Sequence, residues 1–131
     1  MVIDSSALIA ILLKEDGFRR YAEAIADAES NKTPAGSVLE VYLVLAERAG
    51  PHGSDDLDAL LDEMGIEVRP FDQAQAIVAR RAFHRFGKGR HPARLNFGDC
   101  MSYALATVTG EPLLFKGDDF SKTDVVPALR P

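Results

Sequence analysis

The chain has 131 residues, 47% hydrophobic and 27% charged, the proportions of one domain (residues 1–131) built around one buried core. A net charge of −5 excludes a nucleic-acid binder that works by overall positive charge, and the single cysteine, Cys100, excludes an intrachain disulfide. No apolar stretch reaches the roughly 18 residues of a membrane span, and the N-terminus shows no basic leader, so a cytoplasmic protein with no membrane association is expected.

In chain order, Met1-Val2-Ile3 reads as the start of a buried strand, with Asp4 directly after it and a helical run from Ala7 to Leu13. Lys32 to Pro34 is the second strand candidate. Glu40 is then the only charge between Val38 and Ala46, a helix apolar nearly all round and therefore expected to be largely buried. After Gly53, Leu57, Leu60, Leu61 and Met64 recur at i, i+3, i+4 and i+7, with Asp55, Asp58 and Asp62 on other faces, which predicts an amphipathic helix. Ile66 to Pro70 is a third strand. Asp72 opens the next helix, with Gln75 in the capping-box position, Ala74, Ile77, Val78, Ala82 and Phe86 as its apolar residues and Gly87 as its stop. A helix from Phe97 to Thr109 feeds a strand from Leu113 to Phe115, and Val125-Val126 closes the series. About five short strands separated by helices imply parallel pairing through right-handed crossovers, hence an α/β fold, a three-layer α/β/α sandwich.

In such sheets ligands bind outside the carboxyl ends of the strands, near the point where strand order reverses. Asp4 and Asp118 each follow a short apolar strand, while Glu40 and Asp99 lie in early turns of helices that open on the same edge. Each acid also has a local explanation. Ser37-Val-Leu-Glu40 has capping-box spacing, Asn96-Phe-Gly-Asp99 is close to it, and Asp4 suits a helix cap. Taken together, however, clustered carboxylates raise one another's pKa and neutralise the site unless a cation is present. All-oxygen ligands without a Cys/His cluster favour Mg²⁺ or Mn²⁺, which suits phosphodiester hydrolysis. Ser6 and Asn96 are candidates to orient the acids from behind.

Between Asp72 and Asp99 there is no acidic residue, whereas Arg80, Arg81, Arg85, Lys88, Arg90 and Arg94 carry six positive charges. A basic band beside an acidic pocket fits an enzyme acting on a polyanion, and its local alternative is a solvated helix face with a loop.

These motifs resemble those of the PIN-domain ribonucleases, and within them the VapC-type toxins of bacterial toxin–antitoxin pairs. Met1-Val-Ile-Asp-Ser-Ser-Ala-Leu is similar to the first motif, with Asp4 and Ser6. Ser37-Val-Leu-Glu-Val matches the second, Leu95-Asn-Phe-Gly-Asp-Cys-Met-Ser-Tyr-Ala-Leu-Ala the third and Leu113-Leu-Phe-Lys-Gly-Asp-Asp-Phe the fourth. In the fourth either Asp118 or Asp119 can fill the acidic position, with Asp118 favoured. The resemblance implies Mg²⁺- or Mn²⁺-dependent endonucleolytic cleavage of RNA, with structured RNA as substrate. It also implies a homodimer and a cognate VapB-type antitoxin that covers the acidic pocket. Asp4 and Asp99 would be the principal metal ligands, Glu40 and Asp118 or Asp119 further ligands or water-orienting groups, and the Arg80–Arg94 band an RNA-backbone contact. The rival reading is a catalytically inactive PIN-like module that binds RNA or protein. A dehalogenase-like phosphatase is disfavoured because no Asp stands two residues after Asp4.

Overall fold

The computed structural model describes residues 1–130. Four strands, β1 (Val2–Ile3), β2 (Asn31–Pro34), β3 (Ile66–Arg69) and β4 (Leu113–Leu114), form one sheet in the order β3-β2-β1-β4, with every pair parallel. Six α-helices surround it: α1 (Ser5–Leu12), α2 (Phe18–Asp27), α3 (Ala35–Arg48), α4 (Gly53–Glu63), α5 (Gln73–Phe86) and α6 (Phe97–Thr109). The three-layer arrangement follows from side-chain alternation along the central strands. Ile3 and Leu114 join a core built with α1, α2, α3 and α4, whereas Val2 and Leu113 join a second core with α5 and α6. Both neighbours of each pair are covered, so all four side chains are fully buried.

The amphipathic pattern after Gly53 becomes α4, with Leu57 and Leu61 buried and Leu60 and Met64 packed at the margin. In α5 Asp72 caps the helix by accepting the Gln75 N–H at 2.9 Å. The reciprocal half of the capping box is absent: the Gln75 side-chain nitrogen donates to the Pro70 carbonyl at 2.9 Å, and its oxygen accepts no bond from Asp72. Helix α2 is anchored by Tyr21 and Ile25, one turn apart. Lys32 is a charge within a buried strand, and Glu111 matches it at 2.5 Å while also holding the N-terminal ammonium at 2.8 Å. Burial alone would raise the Glu111 carboxyl, but Lys32 and the ammonium outweigh it and bring the pKa down to about 2.

Two expectations need correction. The fifth strand reduces to a single parallel bridge between Leu113 and Pro127. Leu113 donates to the Val126 carbonyl and accepts from the Ala128 N–H, both at 2.9 Å, and no second bridge follows among the described residues. Helix α3 is not largely buried either. Val41 and Leu45 face the core, but Leu39 is 59% and Leu43 56% exposed, leaving an apolar outer face.

Candidate active site

Strand order reverses at β1, since the chain builds outward through β2 and β3 and then returns to place β4 on the other side of β1. Asp4 is the first residue beyond β1 and caps α1. It is buried, as its apolar neighbours predict, and both carboxylate oxygens are occupied. Oδ2 accepts from the Ser6 N–H at 3.0 Å and the Ser6 hydroxyl at 2.6 Å, and Oδ1 accepts from the Ser102 hydroxyl at 2.5 Å. Ser6 in turn accepts the Lys116 N–H at 3.0 Å, which ties the end of β1 to the loop after β4.

Asp99 sits in the first turn of α6 within a complete capping box. Its N–H donates to Asn96 Oδ1 at 2.9 Å, and its Oδ2 accepts the Asn96 N–H at 3.0 Å. Asn96 therefore fixes where Asp99 points. Glu40 has no such cap: α3 begins at Ala35, so Ser37 and Glu40 lie inside the helix and the capping-box spacing is not used. Instead Glu40 accepts the Ser5 hydroxyl, and Gly98 lies against its carboxylate so closely that a Cβ at 98 would stand 2.6 Å from Oε2.

The Asp99 carboxyl is pushed up from 3.8 to about 7, first by burial and then by the charges of Asp4, Asp119 and Glu40, against the lowering effect of the Asn96 hydrogen bond. The four acids thus share one electrostatic environment, the condition under which a divalent cation is stabilising. Of the adjacent aspartates, Asp119 acts on Asp99, whereas Asp118 lines a cleft with Arg20, Tyr21 and Arg130. Gly117 (φ +103°) precedes both in the turn, and the two side chains meet different surroundings.

Among the described residues no three acidic, histidine or cysteine side chains close around one point as a preformed ion cage. The donor set still fits Mg²⁺ or Mn²⁺. Such ions are typically held by one or two carboxylates with several waters rather than by all-protein cages.

Three site residues escaped the sequence reading: Ser5, Ser37 and Ser102. Ser102 is fully buried, and its oxygen lies 3.4 Å from that of Ser37, itself 1% exposed. Their signal was the position of Ser102 one turn after Asp99, on the apolar side of a helix where a hydroxyl requires a partner. Ser102→Ala should leave the fold intact and weaken Mn²⁺ binding by about 10-fold, the usual scale for losing a partner that orients a ligand. Calorimetric titration checks this, and an unchanged affinity would show that Ser102 does not orient Asp4.

The basic band divides into two parts. Arg80, Arg81, His84 and Arg85 line a hollow along α5, while Lys88, Arg90 and Arg94 belong to the following loop. Arg85 is not free. It pairs with Asp124 at 3.2 Å, lies 4.6 Å over the Phe86 ring, and Asp124 also accepts from Tyr103.

The PIN domain model matches residues 1–126. Ribonuclease VapC42 of Mycobacterium tuberculosis is 46% identical over 129 residues, covering 98% of each chain. Ribonuclease VapC28 of the same organism is 48% identical over 130 residues, again with 98% of each covered. Ribonuclease VapC of Mycolicibacterium smegmatis is 47% identical over 125 residues, 95% of this chain and 97% of that one. Among solved structures, Mycobacterium tuberculosis VapC20, described as a sarcin-ricin loop cleaving toxin, superimposes with a TM-score of 0.79 at 20% identity, over 99% and 98% of the two chains. At that identity the likeness is one of fold. With the sequence relatives and the family match, it leads to one conclusion: the chain belongs to the PIN-domain family and, within it, to the VapC group.

Proposed function

We propose that this chain is a Mg²⁺- or Mn²⁺-dependent endoribonuclease, the toxin of a toxin–antitoxin pair, acting in the cytoplasm. The observation that carries the reading is that the start of α6 gathers the acids at the reversal point of a parallel sheet: its first turn fixes Asp99, its Gly98 lies against Glu40 and its Ser102 donates to Asp4, in a chain 46–48% identical to VapC ribonucleases. A bound ion supplies Lewis-acid stabilisation of charge on a phosphoryl oxygen and a lower pKa for water. Asp4 and Asp99 would be the principal ligands, with Glu40 and Asp119 reaching the ion through its waters. Ser6 and Ser102 hold Asp4 in one orientation, and Asn96 does so for Asp99, so the acids need no reorganisation when substrate arrives. The Arg80–Arg94 band contacts the RNA backbone, with Arg85 drawn there from its solvent-exposed pair with Asp124. Incubating the purified protein with total RNA and Mg²⁺ should yield a few discrete cleaved ends, and intact RNA would contradict the reading.

The partners are a VapB-type antitoxin that covers the acids and a second copy of this chain. For the second copy the support is the outer face of α3. A helix apolar nearly all round is normally covered, yet Leu39, Leu43 and Phe97, the last 81% exposed, rim an open cavity of about 530 Å³ beside Glu40. Leu43→Glu should convert a dimer to a monomer in sedimentation velocity with the melting temperature retained. A wild-type monomer, or a variant that stays dimeric, would remove this face from consideration.

A further inference from the structure

We propose that the segment between Gly87 and Leu95 is a preformed cup for RNA phosphate, in which Lys88, Arg90, Arg94 and the Nε2–H of His91 bind the strand leading into the acids. The inference rests on the ribonuclease reading and assigns within it a specific phosphate-binding element.

The segment is built rather than merely charged. Its two ends are joined, with Lys88 donating to the Leu95 carbonyl at 2.9 Å and Leu95 donating to the Phe86 carbonyl at 3.0 Å. Arg90 and His91 both donate to the Gly87 carbonyl, at 2.9 and 3.1 Å, which turns the chain back on itself. Ala93 is fully buried and plugs the segment into the core shared by α5 and α6. His91 packs edge-on to Phe86 at 5.1 Å and accepts the Ala93 N–H on Nδ1 at 3.0 Å. A neutral imidazole that accepts on Nδ1 carries its proton on Nε2, so His91 is a donor on its other side.

What faces outward is a shallow, open concavity lined by Lys88, Gly89, Arg90, His91, Pro92 and Arg94, with no acidic residue in its wall. Among the described residues none of Lys88, Arg90 and Arg94 forms an ion pair, in contrast to Arg85. Arg90 is steadied 5.8 Å from the Phe83 ring. Arg94 adopts φ +55°, a conformation uncommon for a residue with a Cβ and tolerated where the surroundings enforce it. Immediately after the closing Leu95 comes Asn96, the cap of α6, and Asp99 lies one turn further, about 5 Å along the helix axis. Cations held on a rigid loop lose little entropy on binding, and the loop runs straight into the helix whose first turn carries Asp99.

The test measures binding of a fluorescein-labelled single-stranded RNA of mixed sequence to the full chain carrying Asp99→Asn, by anisotropy across a salt series. Adding Lys88→Gln, Arg90→Gln and Arg94→Gln should weaken binding by at least 10-fold near physiological salt. It should also flatten the slope of log K against log salt by about 2, the value for losing three single-strand phosphate contacts. Lys14→Gln with Arg19→Gln, exposed cations outside the basic band, should change affinity by less than twofold. Melting curves confirm that each variant is folded. An unchanged affinity and slope in the loop variant, or an equal change in the Lys14→Gln, Arg19→Gln variant, overturns the cup while leaving an RNA-cleaving wild type as a ribonuclease. A parent protein that neither binds nor cleaves RNA overturns both readings.

Discussion

Asp99→Asn is expected to lower RNA cleavage by about 10³-fold, the rate equivalent of several kcal/mol of charge stabilisation. The substitution keeps the size of the side chain and an oxygen that can still accept the Asn96 N–H, so the start of α6 should persist. Removing an acid crowded by Asp4, Glu40 and Asp119 also relieves repulsion in the metal-free protein, whose melting temperature at pH 8 should not fall. Asp4→Asn should match the catalytic loss but cost stability. Its carboxylate accepts three hydrogen bonds, two from hydroxyls on opposite oxygens, and an amide nitrogen placed on either side loses one acceptor. Steady-state cleavage assays with parallel thermal melts check both. A variant that cleaves within 10-fold of wild type would remove its acid from the catalytic set.

Gly98→Ala should separate activity from stability. Within a helix this exchange is favourable by roughly 1 kcal/mol, and the atoms met by the new methyl belong to the end of a flexible side chain. Those atoms are the Glu40 carboxylate, with Oε2 at 2.6 Å and the carboxyl carbon at 3.2 Å from the added Cβ. Glu40 must therefore leave the position in which Ser5 and α6 hold it. A displacement of about 1 Å at such a group costs on the order of 10²-fold in rate. The expected protein melts at or above the wild-type temperature and cleaves RNA about 100-fold more slowly. Full activity would show that Glu40 need not stand where it does.

The Asp99 carboxyl also sets a pH dependence. A raised acid is protonated below its pKa, and that proton must leave before a cation can bind. With a folded value of about 7, apparent Mn²⁺ affinity should fall by about tenfold for each unit below pH 7 and level off above it. Titrations between pH 5.5 and 8 check the sign. Affinity independent of pH in that range would place the proton elsewhere.

Much of the fold was legible because its elements carry local signals. Leu57 and Leu61 repeat at helical spacing, Asp72 and Asn96 announce helix starts, and the apolar pairs of β1 and β4 fit strands covered on both faces. The shortfall lay where tertiary context decides. Nothing in Val125-Val126 states that the pairing will amount to one bridge, and the apolar run around Glu40 does not say that its outer face stays uncovered by its own chain. Asp118 and Asp119 differ only by one residue in a turn, so their separate surroundings emerge only in three dimensions. The acids themselves stood out because charge is costly beside apolar strands. Apart from Ser6, the serines behind them did not, because a buried hydroxyl looks like any small residue until its partner is known.

The central claim is that these acids hold a divalent ion for RNA cleavage, and metal depletion with restoration tests it most directly. Protein stripped with EDTA and dialysed should leave an RNA substrate intact, recover cleavage when Mn²⁺ or Mg²⁺ is added, and fail to recover when it carries Asp99→Asn. Cleavage by the stripped protein, or full recovery by the Asp99→Asn variant, would contradict the account.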